Sequence, residues 1–158
     1  MEARRLILPG DIVGRADVTK VLRELESVND FMLQADLRHV AVRLPAISRQ
    51  LNSLAEANQY DLSDKRQRLQ LITFLNKIRS LAPQIHLSLA SEPSETATAK
   101  IIDWLRRELS SYTMLEIGIQ PSMVAGCRIR TTNKLFDFSL HRQLASAEPA
   151  LRQKIGEL

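Results

Sequence analysis

From Ala16 to Leu37 the apolar residues recur at steps of three and four. Val18, Val21, Leu22, Leu25, Val28, Met32 and Ala35 form one stripe, the pattern of a helix that buries a single face. Asp17 is the expected N-cap, because its carboxylate can accept free first-turn N–H groups. A second helix is predicted from Pro45, where the missing N–H costs nothing, to about Asn58, with Ile47, Leu51, Leu54 and Ala55 inward. A third starts after Ser63, turns Leu69, Ile72, Leu75 and Ile78 inward, and is stopped by Pro83.

Beyond Pro83 the period changes. Ile85, Leu87 and Leu89 alternate with His86, Ser88 and Ala90, as in a strand with one buried face. Ser94 can cap a helix that carries Ala97, Ile101, Ile102, Leu105 and Leu109, and Leu115, Ile117 and Ile119 then alternate again. Strand–helix–strand at this length predicts two parallel strands joined by a right-handed crossover. Pro121 ends the second strand, and the run CRIRTTNKLFDFS reads as a hairpin, with Asn133 expected to supply a left-handed turn residue. A short closing helix from Ser139 would turn Leu140 and Leu144 inward. The expected class is α+β, with a helical N-terminal domain over residues 1–82 and a small mixed α/β domain over 83–158. Each half is small enough for an isolated core to be marginal, which favours packing on a partner.

Composition narrows the function. No run approaches the roughly 20 apolar residues of a membrane-spanning helix. The apolar stretch before Pro9-Gly10 is too short for a secretory signal. Cys127 is the single cysteine, which excludes an internal disulfide and suits a reducing compartment. The 22 basic and 18 acidic residues leave a net charge of +4, spread over both halves, and aromatics make up only 4%. That is a poor nucleic-acid footprint. The small cluster Arg128, Arg130 and Lys134 is the basis of the one rival reading in that class, a small nucleic-acid-binding module using a basic hairpin; otherwise it is a solvated strand face.

Catalytic patterns are mostly missing. The five glycines form no phosphate-cradling loop, and His39, His86 and His141 lack metal-pair spacing, so no cofactor and no metal are expected. The sharpest enzymatic arrangement would be Cys127 as nucleophile, His86 or His141 as base and Asp137 as orienter. Against it, Cys127 shares a strand face with Ile129, where a cysteine acts as a small buried hydrophobe. Trp104 sits beside Ile101 and Leu105 on the helix stripe, a place for core or interface.

Two stretches carry a family resemblance: IHLSLASEPSETATAKIIDWLRREL and LEIGIQPSMVAGCRIRTTNKLFDFSLHRQL. From Ile85 to Leu144 the chain resembles the C-terminal region of the delta subunit of F-type ATP synthases, called the oligomycin-sensitivity-conferring protein in mitochondria. That family places a turn of the form Pro-Ser-Leu-x-Gly-Gly after strand, helix and strand, then a hairpin ending in Asp-Gly-Ser before a closing helix. Here the turn is Pro121-Ser122-Met123-Val124-Ala125-Gly126 and the hairpin closes with Asp137-Phe138-Ser139. Ala125 and Phe138 stand where the family has glycine, so Gly126 alone is expected to need open backbone geometry. The N-terminal part is shorter than the family's helical bundle.

The resemblance implies a non-catalytic stator. Its partners would be peripheral-stalk b subunits and the alpha subunits of the catalytic head. There would be no direct nucleic-acid contact, and the membrane would be reached only through the complex, at the cytoplasmic face of a bacterial cell membrane. The residues singled out as structural or partner-binding are Trp104, Pro121, Gly126, Arg130, Asn133, Asp137 and Ser139.

Overall fold

The computed structural model describes residues 5–123 and 125–140. Helix α1 spans Arg15–Leu37, α2 Arg49–Asn58, α3 Lys65–Leu81 and α4 Glu95–Glu108. Strands β1 (Gln84–Leu89), β2 (Met114–Ile119), β3 (Cys127–Arg130) and β4 (Leu135–Asp137) make one sheet in the order β2-β1-β3-β4. The α+β class is as expected, helices first and a small mixed sheet after them. Among the described residues, no helix is long and apolar enough to cross a membrane.

Helix starts follow the available side-chain acceptors, which shifts two of them from the predicted positions. Gly14, not Asp17, caps α1. Asp17 lies inside the first turn, and its carboxylate reaches back to the N–H groups of Val13 and Gly14, both at 3.0 Å. It still satisfies donors at the helix start, but from within. Helix α2 starts after Ser48 rather than at Pro45, because Ser48 Oγ accepts the Leu51 N–H and proline has no such acceptor. Ser48 is itself held by the Glu24 carboxylate on α1. Asp64 caps α3 and Ser94 caps α4, the latter as predicted. Ala82, next to Pro83, is extended and ends α3, since proline disfavours the helical region for its predecessor.

The three first helices bury Val18, Val21, Leu22, Leu25, Leu51, Leu54, Leu71, Leu75 and Ile78 in one core. The inward face of α3 is rotated from the predicted one. Leu69 is exposed and Leu71 buried, and Arg68 joins the core at 1% exposure. Arg68 is tolerated there because its donors are used. Its Nε donates to Asn29 Oδ1 at 3.2 Å, and its Nη1 to the Leu62 and Ser63 carbonyls at 2.9 Å. A period count that treats arginine as an outward residue misplaces this face.

In the second part, β1 and β2 are parallel, with Ile85 opposite Leu115, Leu87 opposite Ile117 and Leu89 opposite Ile119. Antiparallel β3 places Ile129 beside Leu87 and Cys127 beside Leu89, and β4 places Phe136 beside Ile129. All these side chains share one sheet face. Helix α4 covers it with Ile102 and Leu105, packed with Ile85, Leu87 and Leu115.

The extended segment before α1 ties the two parts together. The Arg106 guanidinium on α4 donates to the carbonyls of Leu8, Pro9 and Ile12 at 3.1, 2.9 and 2.6 Å, and to that of Thr113 at 3.2 Å. Burial pushes its pKa down, while Asp103 and Asp11 act in the opposite sense. Asn58 brackets Ile7 through both its side-chain groups, and Tyr112 Oη donates to the Leu6 carbonyl. Asp11 accepts from Ser53 Oγ and, through its carbonyl, from Gln50.

Candidate partner-binding surface

The hairpin junction is built by backbone geometry. A short 3₁₀ turn, Pro121–Met123, follows β2 and buries Met123. Gly126 then takes φ +94. A Cβ on Gly126 would fall on the Phe138 carbonyl oxygen and lie 2.8 Å from Ser139 Cα. Glycine is therefore required both by conformation and by close approach. The Leu140 N–H donates to the Ala125 carbonyl and the Phe138 N–H to that of Cys127, which clamps the end of the hairpin onto the turn.

Asp137 holds the same junction through its side chain. Its Oδ1 accepts the Ser139 N–H at 3.0 Å, and its Oδ2 accepts from Arg128 Nε and Nη2 at 3.2 and 3.0 Å. The hydroxyl and N–H of Ser139, with Arg128 as a lesser influence, pull the Asp137 pKa down from 3.8 to about 2. Ser139 is buried. Gly126, Asp137 and Ser139 thus come together as one structural node, while Pro121 is exposed and opens the turn that leads to it. The closing helix and its Leu144 lie outside the described residues, as does His141.

Arg130 and Asn133 lie apart from that node, both exposed, toward the other end of the hairpin. Asn133 does not supply a left-handed residue, since among the described residues the positive-φ non-glycine ones are His39 and Gln59. The connection is closed instead by Thr131 and Lys134. Thr131 N–H and Oγ1 both donate to the Lys134 carbonyl, and the Lys134 N–H donates back to Thr131 Oγ1. With these bonds spanning the turn, Asn133 is spared the positive-φ conformation.

Above the node, the sheet is incompletely covered. Ile119 is 48% exposed, Phe136 43% and Phe138 52%, and the last two rings stack in parallel at 6.4 Å between centroids. Trp104 on α4 is 52% exposed, so it is not core. Large apolar side chains left open at one end of a sheet are the mark of an interaction surface. Phe136 and Phe138 are not among the partner-binding residues that the sequence pattern singles out. The cue was available: they follow the same alternation that puts Asp137 on the opposite face.

The rival chemistries are not assembled by this geometry. Cys127 is only half-buried and stands on the α4 face beside Leu89. His86 pairs with Arg130 on the other face, where its Nδ1 lies 3.2 Å from Glu116. Asp137 is also on that other face, beside Arg128. The sulfur therefore lies across the sheet from His86 and Asp137, and His141, the other candidate base, lies outside the described residues. Of the basic trio, Arg128 is committed to Asp137 and to Gln120, which leaves Arg130 and Lys134. Among the described residues, no group of three or more His, Cys, Asp or Glu side chains could hold a metal ion.

No family model matches the chain, and no curated protein matches it.

Proposed function

We propose that this chain is a delta-type stator subunit of a proton-translocating ATP synthase, a non-catalytic link between the catalytic head and the peripheral stalk. The observation that carries the reading is the junction at Gly126. The resemblance asks for strand, helix and strand, then a Pro-Ser turn ending in an obligatory glycine, then a hairpin closed by Asp-x-Ser. The positive φ of Gly126 and the Asp137–Ser139 bond give each of those residues a physical reason to be where it is.

In this role the open apolar end of the sheet receives the helices of the b subunits, and the helical part faces the alpha subunits of the head. Rotation of the central shaft exerts torque on the head, and a stator resists it by holding the head to the stalk. The protein would sit at the cytoplasmic face of a bacterial cell membrane, peripheral and held there by the complex.

The test is calorimetry of the full chain with the C-terminal segment of the b subunit from the same organism. Binding with a negative heat-capacity change, from apolar burial, supports the reading. A folded chain that gives no heat across temperature rejects it.

A further inference from the structure

The outer edge of β2 is the longest open strand edge of the sheet. Leu115, Ile117 and Ile119 alternate with the residues that bond to β1, so their backbone groups point outward. Among the described residues, only the first of these positions is engaged. The Leu115 N–H donates to the Val13 carbonyl at 3.0 Å. Gly14 follows so closely that a Cβ there would lie 2.8 Å from the Leu115 carbonyl oxygen. The N-terminal segment thus begins a strand parallel to β2 and abandons it after one rung. Asp17 takes the Val13 and Gly14 N–H groups, and the chain turns into α1.

The abandoned edge opens on a groove of about 1010 Å³, walled by α1 on one side and by β1 and β2 on the other. Arg15, Lys20 and Arg23 line its α1 wall, and none of them takes part in an ion pair among the described residues. The acidic groups in the groove are already engaged, Asp17 by backbone N–H groups and Glu116 by Gln84 and His86. The groove therefore offers free backbone donors and acceptors beside a lining that stays net positive, three cations against two carboxylates.

We infer that the β2 edge accepts an extended segment of a partner protein as an added strand, one in which acidic and apolar side chains alternate. Its acidic residues would face Arg15, Lys20 and Arg23, and its apolar residues would lie beside Ile117 and Ile119. Main-chain bonds supply affinity in such an addition and alternate side chains supply selectivity. This surface meets the open end used in the stator reading only at Ile119, and the inference does not rest on that reading.

A fluorescent peptide alternating Glu and Val, titrated into the full chain, tests the inference against a Lys-Val peptide of the same length. Two variants accompany it. Ile117→Pro removes an outward N–H that the β1–β2 ladder does not use, a place where an edge strand tolerates proline. Lys20→Glu with Arg23→Glu reverses the charge on an exposed helix face, and thermal melts check that each variant is folded.

The expected result is saturable binding of the Glu-Val peptide alone, weakened at least tenfold by the charge reversal, with new amide-exchange protection at Ile117 and Ile119. Ile117→Pro, where folded, should weaken it similarly. Failure of the Glu-Val peptide to bind overturns the inference, as does equal binding of the Lys-Val peptide. So does binding, whether of the peptide or of a single-stranded oligonucleotide in its place, that leaves Ile117 and Ile119 exchanging freely.

Discussion

The two halves of this molecule solve the burial problem differently. The first three helices enclose a shared core in which even an arginine has its donors matched by Asn29 and two carbonyls. The sheet has a single helix over its apolar face, and Ile119, Phe136 and Phe138 remain open at one end. The helical part encloses a continuous core, though Phe31, Leu37 and Leu81 stay exposed on its outside, whereas among the described residues the apolar face of the sheet is covered only in part. Stability should therefore concentrate in the first region and recognition in the second.

The largest expected effect lies in the closed core. Leu75→Ala should destabilise the chain by about 2–5 kcal/mol in denaturant melts, the range for a cavity left by a buried leucine. Phe136→Ala should move the same melts by no more than about 0.5 kcal/mol, since its ring is exposed, yet should weaken stalk binding in calorimetry. Equal destabilisation by both would erase the contrast.

Next comes the joint between the halves. Arg106→Met keeps much of the side-chain volume but strips hydrogen bonds from the carbonyls of Leu8, Pro9, Ile12 and Thr113. A loss of about 2–3 kcal/mol is expected, with faster amide exchange in residues 6–13. A variant that melts like the parent would mean that the two parts need no such tie.

Gly126→Val should cost about 2 kcal/mol, from a left-handed backbone and from the approach of Phe138 and Ser139. Ala125→Val is the control and should cost less, because the close approach of Phe138 and Ser139 falls on Gly126. A thermal melt of each separates the two positions.

The smallest effect is the pH response of the junction. The Asp137 pKa lies below its ordinary value in the folded chain, so its contribution is fully present above about pH 4 and fades as pH falls toward 2. Asp137→Asn should flatten that part of the acid melting profile. A variant with an unchanged profile would detach Asp137 from the stability of the hairpin.

Much of this architecture is legible in the residues. The switch from a three-and-four step to a two-residue step at Pro83 separates helices from strands, and the Ser94 cap and the demand on Gly126 follow from elementary backbone physics. What is not legible depends on distant partners. Arg68 is buried because Asn29 and the Leu62–Ser63 carbonyls meet it, and no local pattern reveals that. Asn133 looked like a turn residue by type, but Thr131 and Lys134 close the connection with their own hydrogen bonds. The role of Arg106 as a tie depends on a segment far upstream, beyond the reach of any window along the chain.

The most direct measurement is hydrogen exchange of the full chain with and without the C-terminal segment of the b subunit that the proposed role requires. The account predicts new protection at the end of β2 and in the 135–138 segment of the hairpin, together with slower exchange along α4 near Trp104, while the α1–α3 core stays as it was. Protection confined to α1–α3, or none at all despite binding, would contradict it.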